Sequence, residues 1–71
     1  MKIRESNLNI GQRFRSHYGL VWEIRDFPKT TDKKRHVRLI GVWDPLAIKI
    51  VSVSALVDRN LFEYTGMRED A

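Results

Sequence analysis

Apolar and polar residues take turns along the first two thirds of the chain. In "GQRFRSHYG", Phe14 stands between Arg13 and Arg15. In "LVWEIRDF", Trp22 and Ile24 share one parity, Glu23 and Arg25 the other. In "HVRLIG", Val37 and Leu39 alternate with His36 and Arg38, and in "LAIKIVSV", Ile48 and Ile50 bracket Lys49. Successive side chains of a strand point to opposite faces, so each stretch predicts a half-buried strand, and the β-branched and aromatic residues reinforce it. Four such strands in succession predict an antiparallel meander.

The breaks between these stretches carry turn chemistry. "HYG" at 17 to 19 predicts a short hairpin turn, with Gly19 free to take positive φ. "PKTTDKK" joins the second and third strands, where Pro28 cannot donate to a ladder and Thr and Asp favour turns. "GVWDPL" joins the third and fourth, with Asp44-Pro45 as the turn starter. In "SVSALVDRN", Ser52 or Ser54 is placed to cap one helical or 3-10 turn holding Ala55 and Leu56. Asp58 and Asn60 then lead into a last strand, "LFEY". The predicted core is Ile10, Phe14, Trp22, Ile24, Val37, Leu39, Ile48, Ile50, Val53, Leu56 and Phe62. Residues 1–8 and 65–71 are expected to be loose ends.

Four strands, one helical turn and a fifth short strand: over residues 9–64 this order resembles the SH3-like small barrel. Within that group, "IGQRF" followed by "YGLVWEI" is similar to the opening hairpin of Tudor- and KOW-type domains, where a Gly opens strand one and an aromatic or β-branched residue fills strand two. The resemblance implies an all-β fold, a small five-stranded antiparallel barrel with one short helical or 3-10 turn before the last strand. It also implies a binding role, since such domains bind RNA, DNA, ribosomal surfaces or modified peptides and none is an enzyme by itself. The acidic-aromatic opening and paired Trp motif of peptide-binding SH3 domains do not occur in the sequence, which sets proline-rich ligands aside. The KOW glycine pattern is incomplete after Gly19, so its RNA contacts are not carried over.

Length and composition narrow the picture. Seventy-one residues make one domain with a small core. With no cysteine, disulfides, thiolate metal sites and thiol chemistry are excluded together, and a reducing compartment is the natural expectation. No apolar run approaches the ~18 residues of a membrane span, and "MKIRESNLNI" lacks the apolar centre of a secretion signal. A cytoplasmic protein is expected, with no membrane partner. The net charge of +4 is unevenly placed: residues 11–40 carry eight cations and three anions, residues 41–71 three cations and five anions.

This asymmetry defines the candidate chemistry. "PKTTDKKRHVR" sets Lys29, Lys33, Lys34, Arg35 and Arg38 against Asp32. Such a loop is suited to meeting several phosphates without reading sequence. Judged alone it reads more simply as the solvated tip of a hairpin, because two like charges ~7 Å apart in water repel by only about 0.6 kcal/mol. Arg13, Arg15, Arg25, Arg38 and Lys49 fall on the polar side of their strands and would build a cationic outer face, with Glu23 as a cross-strand partner. The proposed nucleic-acid-binding set is Arg13, Arg15, Arg25, Lys33, Lys34, Arg35 and Arg38. Tyr18 and Trp43, both in turns, are candidate stacking or partner-contact residues, although a loop Trp more commonly folds back to lid a barrel end.

The alternative is a protein-interaction module: an adaptor or inhibitor, small enough for a phage to encode, that docks an acidic protein partner by an edge strand or the Trp43 loop. Ile40, Val42 and Val51 would mark its apolar contact patch. His17 and His36 are the only imidazoles and stand apart from any acid pair, so no metal, cofactor, catalytic residue or small-molecule substrate is expected. No nucleophile elbow or phosphate-binding glycine loop is present.

Overall fold

The predicted alternation becomes five antiparallel strands in a computed structural model that describes residues 3–29, 31 and 34–68. They are β1 (Gln12–Ser16), β2 (Val21–Asp26), β3 (His36–Gly41), β4 (Ile48–Ser52) and β5 (Phe62–Met67). A 3-10 turn, Glu5–Asn7, precedes β1, and a one-turn helix, α1 (Val53–Leu56), lies between β4 and β5. The strands form one sheet in the order β4-β3-β2-β1-β5. Consecutive hairpins join the first four, and the chain then crosses from β4 to the far side of β1, leaving β4 and β5 as the two edges.

Local chemistry sets the connections. At the first turn Gly19 takes φ +87°, and its N–H donates to the Ser16 carbonyl while Ser16 N–H bonds Leu20, closing the hairpin. Ser52 caps α1, its Oγ accepting from Ala55 N–H at 3.1 Å, which fixes the point where β4 ends.

One face of the sheet holds the core: Phe14, Trp22, Ile24, Val37 and Leu39 from the strands, Val53 and Leu56 from α1, and Leu8 from the segment before β1. Phe14 packs against Tyr64 of β5 with ring centroids 5.3 Å apart and the rings tilted by 53°. Five strand members of the expected core are buried as the alternation requires, Val53 and Leu56 are buried from α1, and Phe62 is half-buried.

Three members of the expected core are corrected. Ile10 is 62% exposed, and Ile48 and Ile50 are 54% and 52% exposed. For β4 the alternation is right and its phase is inverted. Leu39 faces Lys49 and Val37 faces Val51 across β3 and β4, so Lys49 and Val51 lie on the core side and the two isoleucines point outward. "LAIKIVSV" has apolar residues on both parities, so pattern alone does not choose between them. The register of the β3–β4 hairpin does: Gly41 N–H bonds the Ala47 carbonyl at 2.8 Å and sets Ile40 against Ile48. Val51, expected on an outward patch, instead packs against the core.

Candidate interaction surfaces

Cross-strand registers decide what the outer arginines do. Arg13 stands opposite Glu23 of β2, and its Nε donates to the carboxylate at 3.0 Å. Glu23 also meets Arg68 at 3.5 Å, so one largely covered carboxylate joins two guanidiniums. Arg15 stands opposite Glu63 of β5 and bonds it at 2.8 Å. Arg38 stands opposite Asp26 and bonds it at 2.9 Å. Exposed pairs of this kind add little to stability. Their consequence is for the field: Glu23, Asp26 and Glu63 divide the strand-face cations, and no unbroken cationic stripe runs over them.

Lys49, expected on that outer face, is on the other one. Its ammonium lies 4.7 Å from the centroid of the Trp22 ring, where the ring's negative face attracts a cation.

The Arg15–Glu63 pair predicts a pH effect. The hydrogen bond from Arg15, and then its charge, hold the Glu63 carboxyl below its usual range. A carboxyl depressed in the folded state contributes stability that is present above its unfolded pKa and lost as pH falls through the folded value. A carbon-detected titration of Glu63 should therefore show a midpoint below that of an ordinary glutamate. Glu63→Gln should lower the melting temperature at pH 7 and leave it unchanged at about pH 2, where both proteins are neutral at this position.

The remaining described cations of the expected contact set, with Lys29, lie at one end of the sheet. Arg25, Lys29, Lys34 and Arg35 are exposed around the β2–β3 connection, and Lys33 lies outside the described residues. Arg35 lies 5.9 Å from the Phe27 ring centroid and donates to the Glu5 carbonyl at 3.4 Å, linking this pole to the segment before β1. Among the described residues no carboxylate is paired with Arg25, Lys29 or Arg35.

The candidate aromatics are at the opposite end. Tyr18 is 89% exposed at the β1–β2 turn, its ring edge-on to His17 at 5.8 Å. Trp43 follows β3 at that same end, because alternate hairpins of a meander return to one side. It meets Trp22 edge-on at 4.9 Å and 84°. It also covers Gly41, where an added Cβ would fall 3.0 Å from the Trp43 ring, so the missing side chain is the space the indole needs. Trp43 is therefore a lid over the end of the core, with one face left to solvent. The six residues of β2 separate this end from the cationic one by about 20 Å. The structure thus does not assemble the loop cations and the candidate stacking rings into one groove.

The outer face of β3 and β4 holds Ile40 and Val42, both expected in an apolar patch, together with Ile48 and Ile50, expected in the core. Ile40 pairs with Ile48, Ile50 lies opposite Arg38, and Val42 continues the apolar side beyond β3. Comparison with known proteins leaves the assignment to this geometry. No family model, curated protein or solved structure matches the chain. Among the described residues no helix is long and apolar enough to cross a membrane, and no group of three His, Cys, Asp or Glu is placed to hold a metal.

The two sheet edges differ. β5 is irregular: its register against β1 shifts between Arg13 and Phe14, Gly66 takes φ +122°, and Glu63 carries charge at its start. Bulges and charges of this kind hinder another strand from adding to an edge. β4 pairs with β3 without a shift, and its one charged side chain, Lys49, is turned inward over Trp22. Gly41 N–H bonds the Ala47 carbonyl and Val53 N–H bonds the Arg35 carbonyl, so Lys49 and Val51 between them direct both backbone groups to β3. Ile48 and Ile50 direct theirs to the open side, as does the Ser52 N–H, while the Ser52 carbonyl accepts the first bond of α1.

Proposed function

We propose that the protein is a non-enzymatic binding module of the SH3-like barrel type, acting in the cytoplasm, that docks a protein partner along β4. The observation that carries this reading is the unguarded β4 edge, with Ile48 and Ile50 both more than half exposed on the strand that offers free backbone groups. Strand addition takes affinity from main-chain hydrogen bonds and specificity from alternate side chains. Here those side chains would meet Ile40, Ile48 and Ile50. The strand order, with a helical turn before β5, supports the barrel type.

A second reading keeps nucleic acid as the partner, favoured by Arg25, Lys29 and Arg35 having no carboxylate paired with them among the described residues. Three neutralised phosphates would give a log-log salt slope near −2.7 on B-DNA, about a fortyfold loss of affinity between 50 and 200 mM salt.

One experiment separates the two. The tagged protein, its Ile48→Glu/Ile50→Glu variant and its Arg25→Glu/Lys29→Glu/Arg35→Glu variant are used to capture partners from lysate with and without nuclease. Docking at β4 predicts a protein partner that survives nuclease and is lost only with the isoleucine variant. If the isoleucine variant captures the same proteins as the parent, the β4 reading is wrong. Loss on nuclease treatment and with the charge-reversed variant, with the salt slope above, selects nucleic acid.

A further inference from the structure

The β4 edge is complementary to itself. Its outward backbone groups belong to three residues at alternate positions, Ile48, Ile50 and Ser52, with Ile50 in the middle. A two-fold axis through Ile50 sets Ile50 against its own copy in a hydrogen-bonded pair, and Ile48 against Ser52 of the second chain. That register answers both outward groups of Ile50 and the Ile48 carbonyl, and brings the Ile48 N–H to the Ser52 carbonyl of the second chain, which as the N-cap of α1 also accepts the first bond of that helix. Each Ile50 then lies directly across from its mate and diagonal to the other Ile48, within reach of side-chain contact.

Charge decides between a second copy and an acidic strand. The three outward residues of β4 are uncharged. The nearest cation on the outer face, Arg38 opposite Ile50, is already bonded to Asp26. An acidic partner strand would therefore find no unpaired cation on the outer face of this edge among the described residues. A second copy brings an equally neutral strand, and places no outward like charges directly across from each other. Lys49 of each chain would face Val51 of the other on the inner side, with its ammonium already held over Trp22. The other edge offers no such match, being bulged between Tyr64 and Gly66 and carrying Glu63.

We propose that β4 pairs antiparallel with β4 of a second copy about Ile50, joining two five-stranded sheets into one. This rests on the reading of β4 as a docking edge and names its occupant. The contact is one short strand per chain, below the area of a tight interface, so association is concentration-dependent. Each chain carries +4, so salt should strengthen pairing by screening the long-range repulsion, opposite to its effect on phosphate binding.

The test is sedimentation equilibrium of the full chain, from micromolar to millimolar, with Ile50→Lys as the variant. The weight-average mass should climb from 8.4 kDa towards twice that value, more steeply at 200 than at 50 mM salt. Ile50→Lys, exposed enough to fold normally, should weaken association by about tenfold or more by opposing two ammoniums on the axis. The chain has no cysteine, so single-cysteine variants report geometry directly. Ile50→Cys should oxidise to a covalent dimer well ahead of Thr65→Cys on the β5 edge, because paired strands hold opposite Cα atoms within disulfide reach. A mass constant at 8.4 kDa, or dimers equally strong with Ile50→Lys, or equal cross-linking at 50 and 65, overturns self-pairing. In that event the capture experiment still judges the edge. If Ile50→Lys loses a protein the parent retains, only the occupant was misnamed; if it retains it, the docking edge falls as well.

Discussion

Trp22→Ala is expected to lower the unfolding free energy by about 3 kcal/mol, the low end of what a buried aromatic truncation costs. Trp22 is almost fully buried, lies under Trp43 and carries the Lys49 ammonium over its ring, so its removal takes three contacts at once. The figure stays at the low end for a specific reason. The indole Nε1 is buried without a hydrogen-bond partner among the described residues. An orphaned buried donor costs about 1–3 kcal/mol, which truncation relieves. The same argument predicts that Trp22→Phe, which keeps an aromatic ring and removes the N–H, loses less than about 1.5 kcal/mol. Urea denaturation of the three proteins at one temperature checks both statements. Since a domain of this size has only about 5 kcal/mol to lose, the alanine variant should melt close to physiological temperature. A midpoint within a few degrees of the parent would show that Trp22 does not support the core as described.

The part of the fold legible in the sequence is the part where one parity is apolar and the other is not. Phe14 between two arginines, Trp22 and Ile24 around Glu23, and Val37 and Leu39 around Arg38 leave no choice of face, and all five are in the core. The turns were legible because their chemistry is local: Gly19 for positive φ, Ser52 for the cap. β4 resisted because its apolar residues occupy both parities, so its facing depends on hairpin register, a property of two strands together.

The candidate surface was less legible for the same reason. That Arg13, Arg15 and Arg38 point outward follows from alternation. That each meets a carboxylate depends on which residue stands opposite, ten to forty-eight positions away in the chain. A cationic face counted from composition is thus a neutralised one in space. The separation of Tyr18 and Trp43 from the basic connection is topological, and becomes visible once the meander is drawn. Trp43, expected as a partner contact or as a lid, packs edge-on against Trp22 and over Gly41 while about half of it stays exposed.

Leu8 and Ile10 test the boundary of the core. Both precede β1, both are branched aliphatic residues, and nothing in "NLNIGQ" tells them apart, yet Leu8 is 8% exposed and Ile10 is 62% exposed. The difference comes from how the segment is tied down. Asn9 N–H donates to the Gln12 Oε1 at 2.8 Å, Gln12 Nε2 donates to the Asn7 carbonyl at 3.2 Å, and Gly11 N–H bonds Ile24 at 3.0 Å. These bonds anchor a turn between residues 7 and 12 against β2, with Leu8 directed into the core and Ile10 away from it. Leu8→Ala should therefore cost about 2–3 kcal/mol through lost burial and the cavity left behind. Ile10→Ala should cost less than about 0.5 kcal/mol, as surface truncations do. Gln12→Ala, by loosening the turn, should move Leu8 partway out and fall between the two. The three midpoints from one denaturant series decide the matter. Equal losses at 8 and 10 would mean that this segment is not held as described, and a loss at 10 alone would reverse its facing. Because Arg35 bonds the Glu5 carbonyl, a docked Leu8 also ties the basic connection to the core, so the Leu8→Ala variant should lose protection of the Arg35 region in hydrogen exchange before it loses the sheet.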